Sequence, residues 1–323
     1  MLALPAPTPA ALLSHWTWQP LAILVAVLLC AWYQRAVRRL SRSGIRWPVR
    51  YSVLFGFGIL TQLWVTCGFL QVYASSLYWA WTSQTLALLL GVPVLLLVGR
   101  PFHLAEATSP GGMLQSVMGS RPIRVLTKPL VGPAVFPVVA AVLFFGPLPA
   151  WTIQAPVVGW VVQIVLLALG ALLLLPLLGP EENLTSLAVA GALMFGMIEM
   201  ILDAIPGIVL RLHRGLVTSY FDHLSVHPWT PGHLHDQQTA GTVLWVVAEV
   251  IDLPFLLVVF RRWLRADARD AAQIDAVLEA ERSARVALAA SDGPGSSAVA
   301  DGHHDLVVGP ADAPWWLHDS RPN

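Results

Sequence analysis

The stretch QPLAILVAVLLCAWYQRAVRRLSRSGIRWPVR, Gln19 to Arg50, decides the class of this protein. Its first half carries no charge; its second carries Arg35, Arg38, Arg39, Arg42, Arg46 and Arg50 with no acid among them. An apolar run stopped by clustered arginine is the pattern of a segment that enters a bilayer and halts with its positive end on the cytoplasmic side. Trp16 and Trp18 before the run, and Trp32 and Tyr33 at its end, suit the two interfaces. Composition agrees over the whole chain. Its 323 residues are 56% hydrophobic and 12% charged, with mean hydropathy +0.66, where a soluble domain carries about 25% charge. That much apolar surface has to face lipid.

A helix needs about 20 apolar residues to cross the hydrocarbon core. By that measure the chain is all-α, a polytopic membrane protein with a seven-helix transmembrane bundle. The expected spans are Gln19–Tyr33, Tyr51–Val72, Leu77–Gly99, Leu130–Ala150, Val157–Gly179, Leu184–Leu210 and Ala240–Leu264. With seven spans, every Lys and Arg except Arg211 and Arg214 falls on one side, which sets the N-terminus outside and the C-terminus in the cytoplasm. The organisation reads as an extracytoplasmic N-terminus (1–18), the transmembrane domain (19–264), a charged cytoplasmic helix (265–290) and a disordered Gly/Ser/Asp/Pro tail (291–323). The N-terminus lacks the basic region of a cleavable signal, so the first run is expected to stay as a span. Zero net charge gives nucleic acid no footing. Cys30 and Cys67 form no C-x-x-C, which argues against a disulfide framework or a thiolate zinc site.

Three groups of residues could carry chemistry. The outer loop DHLSVHPWTPGHLHD holds His223, His227, His233 and His235 between Asp222 and Asp236. Imidazoles at such spacing could ligate a metal, with the carboxylates as ligands or as acceptors that fix an imidazole tautomer. The same composition is ordinary in a solvated turn, and Asp236 could instead cap the last helix. Next, Met194, Met197 and Met200 recur every third residue; they would be soft ligands for Cu(I), or packing. Third, Glu199 and Asp203 lie at i, i+4, and Glu249 and Asp252 at i, i+3, all at membrane depth. A charge there costs about 2.5–3.5 kcal/mol even on lenient scales, so these acids are expected to form an inward polar seam, either functional or simply joining helices. His303 and His304 fall in the tail. No G-x-S-x-G, P-loop, dinucleotide fingerprint or H-E-x-x-H occurs, so no enzymatic activity is expected.

The segment DQQTAGTVLWVVAEVIDLPFLLVVFRRWLRADAR, Asp236 to Arg269, resembles the signature end of the CtaG-like (caa3-type) family of cytochrome c oxidase assembly proteins. Its motif positions are Asp236, Gln237, Gln238, Gly241, Trp245, Arg262 and Trp263. WYQRAVRRL (Trp32–Leu40), GVPVLLLVGRP (Gly91–Pro101) and LLLLPLLGPEE (Leu172–Glu182) are similar to other parts of that family. The resemblance implies an assembly factor for a copper-dependent terminal oxidase of the respiratory chain, multi-pass in a bacterial plasma membrane. It implies oxidase subunits or a copper chaperone as partners, and copper delivery on the extracytoplasmic side; no nucleic acid is involved. A copper transporter or permease using the intramembrane acids is the alternative. One departure stands out. Where relatives carry H-x-x-Q-H in the third span, this chain reads WTSQT, Trp81 to Thr85, and a second His pair falls on Gly159 and Gln163. The resemblance therefore brings no intramembrane copper ligands with it.

Overall fold

The computed structural model describes residues 4–109, 119–121, 131–174 and 186–291, and among these every regular element is helical. Four helices are long and apolar enough to cross a membrane: α1 (Pro20–Arg42), α2 (Val49–Tyr73), α3 (Tyr78–Val98) and, later, α7 (Pro156–Leu174). Between them lie α4 (Pro101–Thr108), α5 (Val131–Phe145) and α6 (Leu148–Gln154). Two longer helices follow, α8 (Ser186–Leu212) and α9 (His233–Ser291). The residues from Met1 to Asp270 form one compact unit and those from Ala271 a second. In the second, the described side chains from Ala271 to Leu288 are exposed. The expected disordered tail, Arg124 and Lys128 of the inner loop, and Glu181 and Glu182 lie outside the described residues.

Three expected boundaries change. The last helix, α9, begins at His233 rather than Ala240, so His233 and His235 stand in its first turn and not in the loop. Helix α1 does not end at Tyr33 but runs to Arg42, because hydrophobicity ended there while helix propensity did not: arginine is a good helix former. The fourth expected span is broken. The axis from Pro137–Phe145 to Leu148–Gln154 turns by 52° at Gly146–Pro147, where proline cannot donate and biases its predecessor away from helix. Counted as one bent span, it makes five candidates.

The core lies where α2, α3 and α7 meet. Helices approach closely where a glycine removes the side chain. A Cβ on Gly58 would stand 2.9 Å from Leu96 Cδ2, and one on Gly99 2.7 Å from Phe55 Cβ. In α3, Pro93 has no N–H for the Leu89 carbonyl, and the helix widens to a π-helical turn over Ala87–Gly91 just before it. Gly170 of α7 fits against that carbonyl so tightly that an added Cβ would overlap it. Arg100, which precedes Pro101, adopts a left-handed φ of 53°, and its guanidinium sits 4.8 Å from the Tyr51 ring centroid. At the same end, the Tyr33 hydroxyl donates to the Gly99 carbonyl (2.9 Å) and accepts from Trp47 Nε1 (2.9 Å).

The opposite end is sealed by aromatics. Tyr73, Tyr78 and Tyr220 are fully buried. Tyr78 donates to the Phe144 carbonyl (3.0 Å), Tyr73 to that of Pro5 (2.9 Å), and Tyr220 to that of Ala74. Trp229 Nε1 reaches the Leu4 carbonyl (2.7 Å). Chain segments far apart in sequence are thus pinned over this end by hydroxyl and indole donors whose rings supply apolar burial.

Candidate functional site

Two polar constructions occupy the aromatic-sealed end. The first is a cavity of about 490 Å³ whose lining includes Trp16, Gln19, Gln71, Trp81, Gln84, Thr152, Gly159, Trp160 and Gln163. It gathers Trp81 and Gln84 from α3 with Gly159 and Gln163 from α7. Three of the four positions at which imidazoles are missing, Trp81, Gly159 and Gln163, therefore line one space. Glutamines join across it. Gln84 Nε2 donates to the Val65 carbonyl (2.9 Å), which fixes the orientation of its amide, and to Gln71 Oε1 (2.7 Å). Gln163 Nε2 donates to the same Gln71 oxygen (2.6 Å). Trp81 Nε1 meets Thr152 Oγ1 at 2.9 Å, and Trp160 Nε1 meets Gln19 Oε1. Among the described residues the wall holds amides, hydroxyls and indoles, with no imidazole, sulfur or carboxylate. Copper favours imidazole and sulfur ligands, so this cavity does not fit it. The arrangement can bind an uncharged hydrogen-bonding molecule or water; it has no group that titrates near neutral pH.

The second construction is the D-Q-Q element. Asp236 is 1% exposed and Gln237 fully buried. Asp236 does not cap its own helix, as the sequence suggested it could. Its Oδ2 accepts the backbone N–H of Tyr78 (2.7 Å) and its Oδ1 that of Trp79 (3.0 Å), so it caps the start of α3, where two N–H groups lack helical partners. Gln237 Oε1 accepts from Val217 N (2.9 Å), and its Nε2 donates to the carbonyls of Gly215 (3.0 Å) and Leu210 (3.4 Å), satisfying the end of α8 and the turn after it. Gly241 completes the junction. A Cβ there would lie 2.7 Å from the Gly207 carbonyl oxygen and 2.6 Å from Arg211 N, so α8 and α9 cross backbone to backbone. Burial raises the Asp236 carboxyl above its ordinary value; the two N–H donors and nearby His233 and His235 pull the other way. Burial likewise raises the Tyr220 phenol well above its usual range, aided by the negative charge of Asp236.

The remaining expected residues are scattered. His223, in a 3₁₀ turn over Ser219–His223, is exposed, as are Asp222 and His235. His227 stacks on Trp229 (centroids 5.1 Å, 8° between planes) and His233 on Phe221 (5.3 Å, 28°). Among the described residues no three His, Cys, Asp or Glu side chains come together in a way that could hold a metal ion. Met194 and Met197 are exposed and Met200 half-buried, a fan over the helix surface with no common focus. Asp203 is buried. Glu249 is half-buried and accepts from Trp245 Nε1 at 3.4 Å. The side chains of Glu199, Asp252 and Arg262 lie outside the described set. Gln238 and Trp263 are half-buried on α9. The glutamine cluster escaped sequence reading because a neutral amide leaves no charge signal; glutamines recurring in apolar runs (Gln62, Gln71, Gln84, Gln163) were the available clue.

The family described as cytochrome c oxidase caa3 assembly factor matches residues 31–266. The chain belongs to this family. Among curated proteins, it is similar to uncharacterised proteins of Mycobacterium bovis and Mycobacterium tuberculosis, each 23% identical over 279 residues, covering 83% of this chain and 42% of theirs. A Mycobacterium leprae protein, also uncharacterised, is 22% identical over 270 residues, 80% of this chain and 41% of its own. The chain thus spans about two fifths of the length of these relatives. No solved structure matches it. In this chain the segment around Asp236, Gln237 and Gly241 is an architectural junction of α3, α8 and α9.

Proposed function

We propose that the protein is a multi-pass assembly factor for a copper-dependent cytochrome c oxidase in a bacterial plasma membrane, crossing it seven times with its N-terminus outside. The match over residues 31–266 carries this reading. The arginines at the end of α1, with α8 and α9 as two further long helices, support the topology. In this reading the sealed end faces the extracytoplasmic side and meets oxidase subunits or a copper chaperone. Contact with copper is assigned to the His223–His235 loop, by way of exposed His223 and His235, because the amide cavity has no ligand for it. The metal would be cargo passing through, not a resident of the bundle.

Deleting the gene tests this. Oxidase activity should fall and be partly restored by added copper, and complementation with His223, His227, His233 and His235 all replaced by Ala should rescue activity less well than wild type. Unchanged oxidase activity in the deletion strain would refute the assembly role. Full rescue by the four-alanine variant would refute the copper contact alone. A permease is the second reading, resting on the burial of Asp203 within α8. It requires metal uptake into proteoliposomes that is lost with Asp203→Asn or Glu199→Gln.

A further inference from the structure

The end of α1 carries arginines that so far have served only to orient the helix. At 100° per residue, Arg35, Arg38, Arg39 and Arg42 fall within an arc of about 100° on one face of the helix. All four are exposed. The side chains that α1 buries, among them Tyr33, Ala36 and Leu40, project roughly 110–170° away from the centre of that arc. Higher on the same helix, Leu24, Val27, Leu28 and Trp32 are exposed too, at 51%, 57%, 57% and 38%. Their positions map onto the arginine arc or within about 20° of its edges. One continuous face of a membrane-crossing helix is therefore apolar along the lipid tails, aromatic at Trp32 and fourfold basic beyond it.

Nothing among the described residues supplies countercharge to this face. The first acidic residue of the chain is Glu106, and among the described residues none of these four arginines has an ion pair or a side-chain hydrogen bond. Arg46 and Arg50 follow in the adjoining segment. Arg50 is held by the Tyr51 hydroxyl (3.0 Å) and ring at the start of α2. Attraction to the helix C-terminal dipole falls off within one turn and so reaches Arg39 and Arg42 but not Arg35.

We propose that this face is a binding site for anionic phospholipids, whose acyl chains lie along Leu24, Val27, Leu28 and Trp32 while the headgroup phosphate is held by Arg35, Arg38, Arg39 and Arg42. Continuity with the lipid-facing apolar stripe selects a lipid over a soluble phosphate or an acidic protein. A guanidinium matches phosphate in bidentate geometry and stays charged at every physiological pH.

The test uses the full chain in nanodiscs of phosphatidylcholine doped with fluorescent phosphatidylglycerol, read by energy transfer from the tryptophans and by native mass spectrometry of retained lipid. The wild type should enrich the anionic lipid over labelled phosphatidylcholine, and added salt should erode the enrichment. Arg38→Gln with Arg42→Gln, which leaves the other arginines to hold orientation, should lower the preference by roughly fivefold per arginine removed; Lys at both positions should restore most of it. Equal retention of the two lipids by wild type, or enrichment insensitive to salt, overturns the proposal without any variant. Displacement of the lipid by inorganic phosphate at matched ionic strength would assign the face to soluble phosphate and overturn it as well.

Discussion

The Asp236 carboxylate, at the start of the last helix, closes on the backbone N–H of Tyr78 at 2.7 Å although the two residues stand 158 apart in sequence. With Trp79 N at 3.0 Å on the other oxygen, one side chain satisfies two orphan donors of α3. Asp236→Ala leaves both without an acceptor in a buried place, at a cost of about 1–3 kcal/mol. Thermal unfolding in detergent should show that loss, with Asp236→Asn in between, since a carboxamide has one acceptor oxygen for the two donors. An alanine variant as stable as wild type would show that the junction is held by Gln237 and Gly241 alone.

The same carboxyl sets a pH dependence. Its native pKa is raised above 3.8, burial outweighing the N–H donors and histidines. The folded protein therefore binds this proton more readily than the unfolded chain. The stabilisation it brings is fully present below pH 3.8 and is lost as pH rises through the raised native value. Unfolding followed across that acid window should show a downward slope in the wild type that flattens in Asp236→Asn; identical slopes would contradict the burial.

Gln71 is the shared acceptor of Gln84 and Gln163. Gln71→Leu strands the Gln163 amide and half-strands that of Gln84, for a loss of about 1–3 kcal/mol. Gln71→Glu keeps the acceptor and should recover most of it in the same unfolding assay. Loss of stability by Glu equal to that by Leu would show that the bonds contribute little.

Copper content separates the cavity from the loop. Gln84→Ala and Gln163→Ala should leave the metal bound by purified protein unchanged, because no copper-favoured ligand lines that cavity among the described residues. Replacing the four loop histidines should reduce it. Metal lost with the glutamines instead would place copper in the bundle.

The crossing of α8 and α9 depends on absent side chains. Gly241→Leu would drive a Cβ to within 2.7 Å of the Gly207 carbonyl oxygen; such overpacking costs about 1–3 kcal/mol or more. Crosslinking between cysteines placed along α8 and α9 should weaken in Gly241→Leu and persist in Gly191→Leu, where nothing lies within 4 Å.

Hydropathy located α2, α3 and the start of α7 to within a few residues, because long apolar runs have few alternatives once lipid is the solvent; the expected end at Gly179 lies outside the described residues. It failed at Tyr33, where helix outlasted hydrophobicity, and at Gly146–Pro147, where a run apolar enough to cross is turned by 52°. The α9 motif was legible as a motif, but not its job. The partners of Asp236 lie at Tyr78 and Trp79, and no local pattern encodes a cap for a helix so distant. The clustered histidines show the reverse: close in sequence, His227 and His233 stack on Trp229 and Phe221, and among the described residues no three ligand side chains gather. Conversely, Trp81 and Gly159 stand in different spans, 78 residues apart in the sequence, and folding made them two walls of one space.

Asp236 also has a mechanical consequence. The loop ends at Gly232, so that His233, Leu234 and His235 of the first turn of α9 alone stand between it and Asp236, and Tyr78 and Trp79 lie within one turn of Trp81 on the cavity wall. Tension applied to the loop would therefore load the start of α3 through the two Asp236 hydrogen bonds, one turn from the cavity wall. The carboxylate works as a tension rod between the loop and the wall of the cavity.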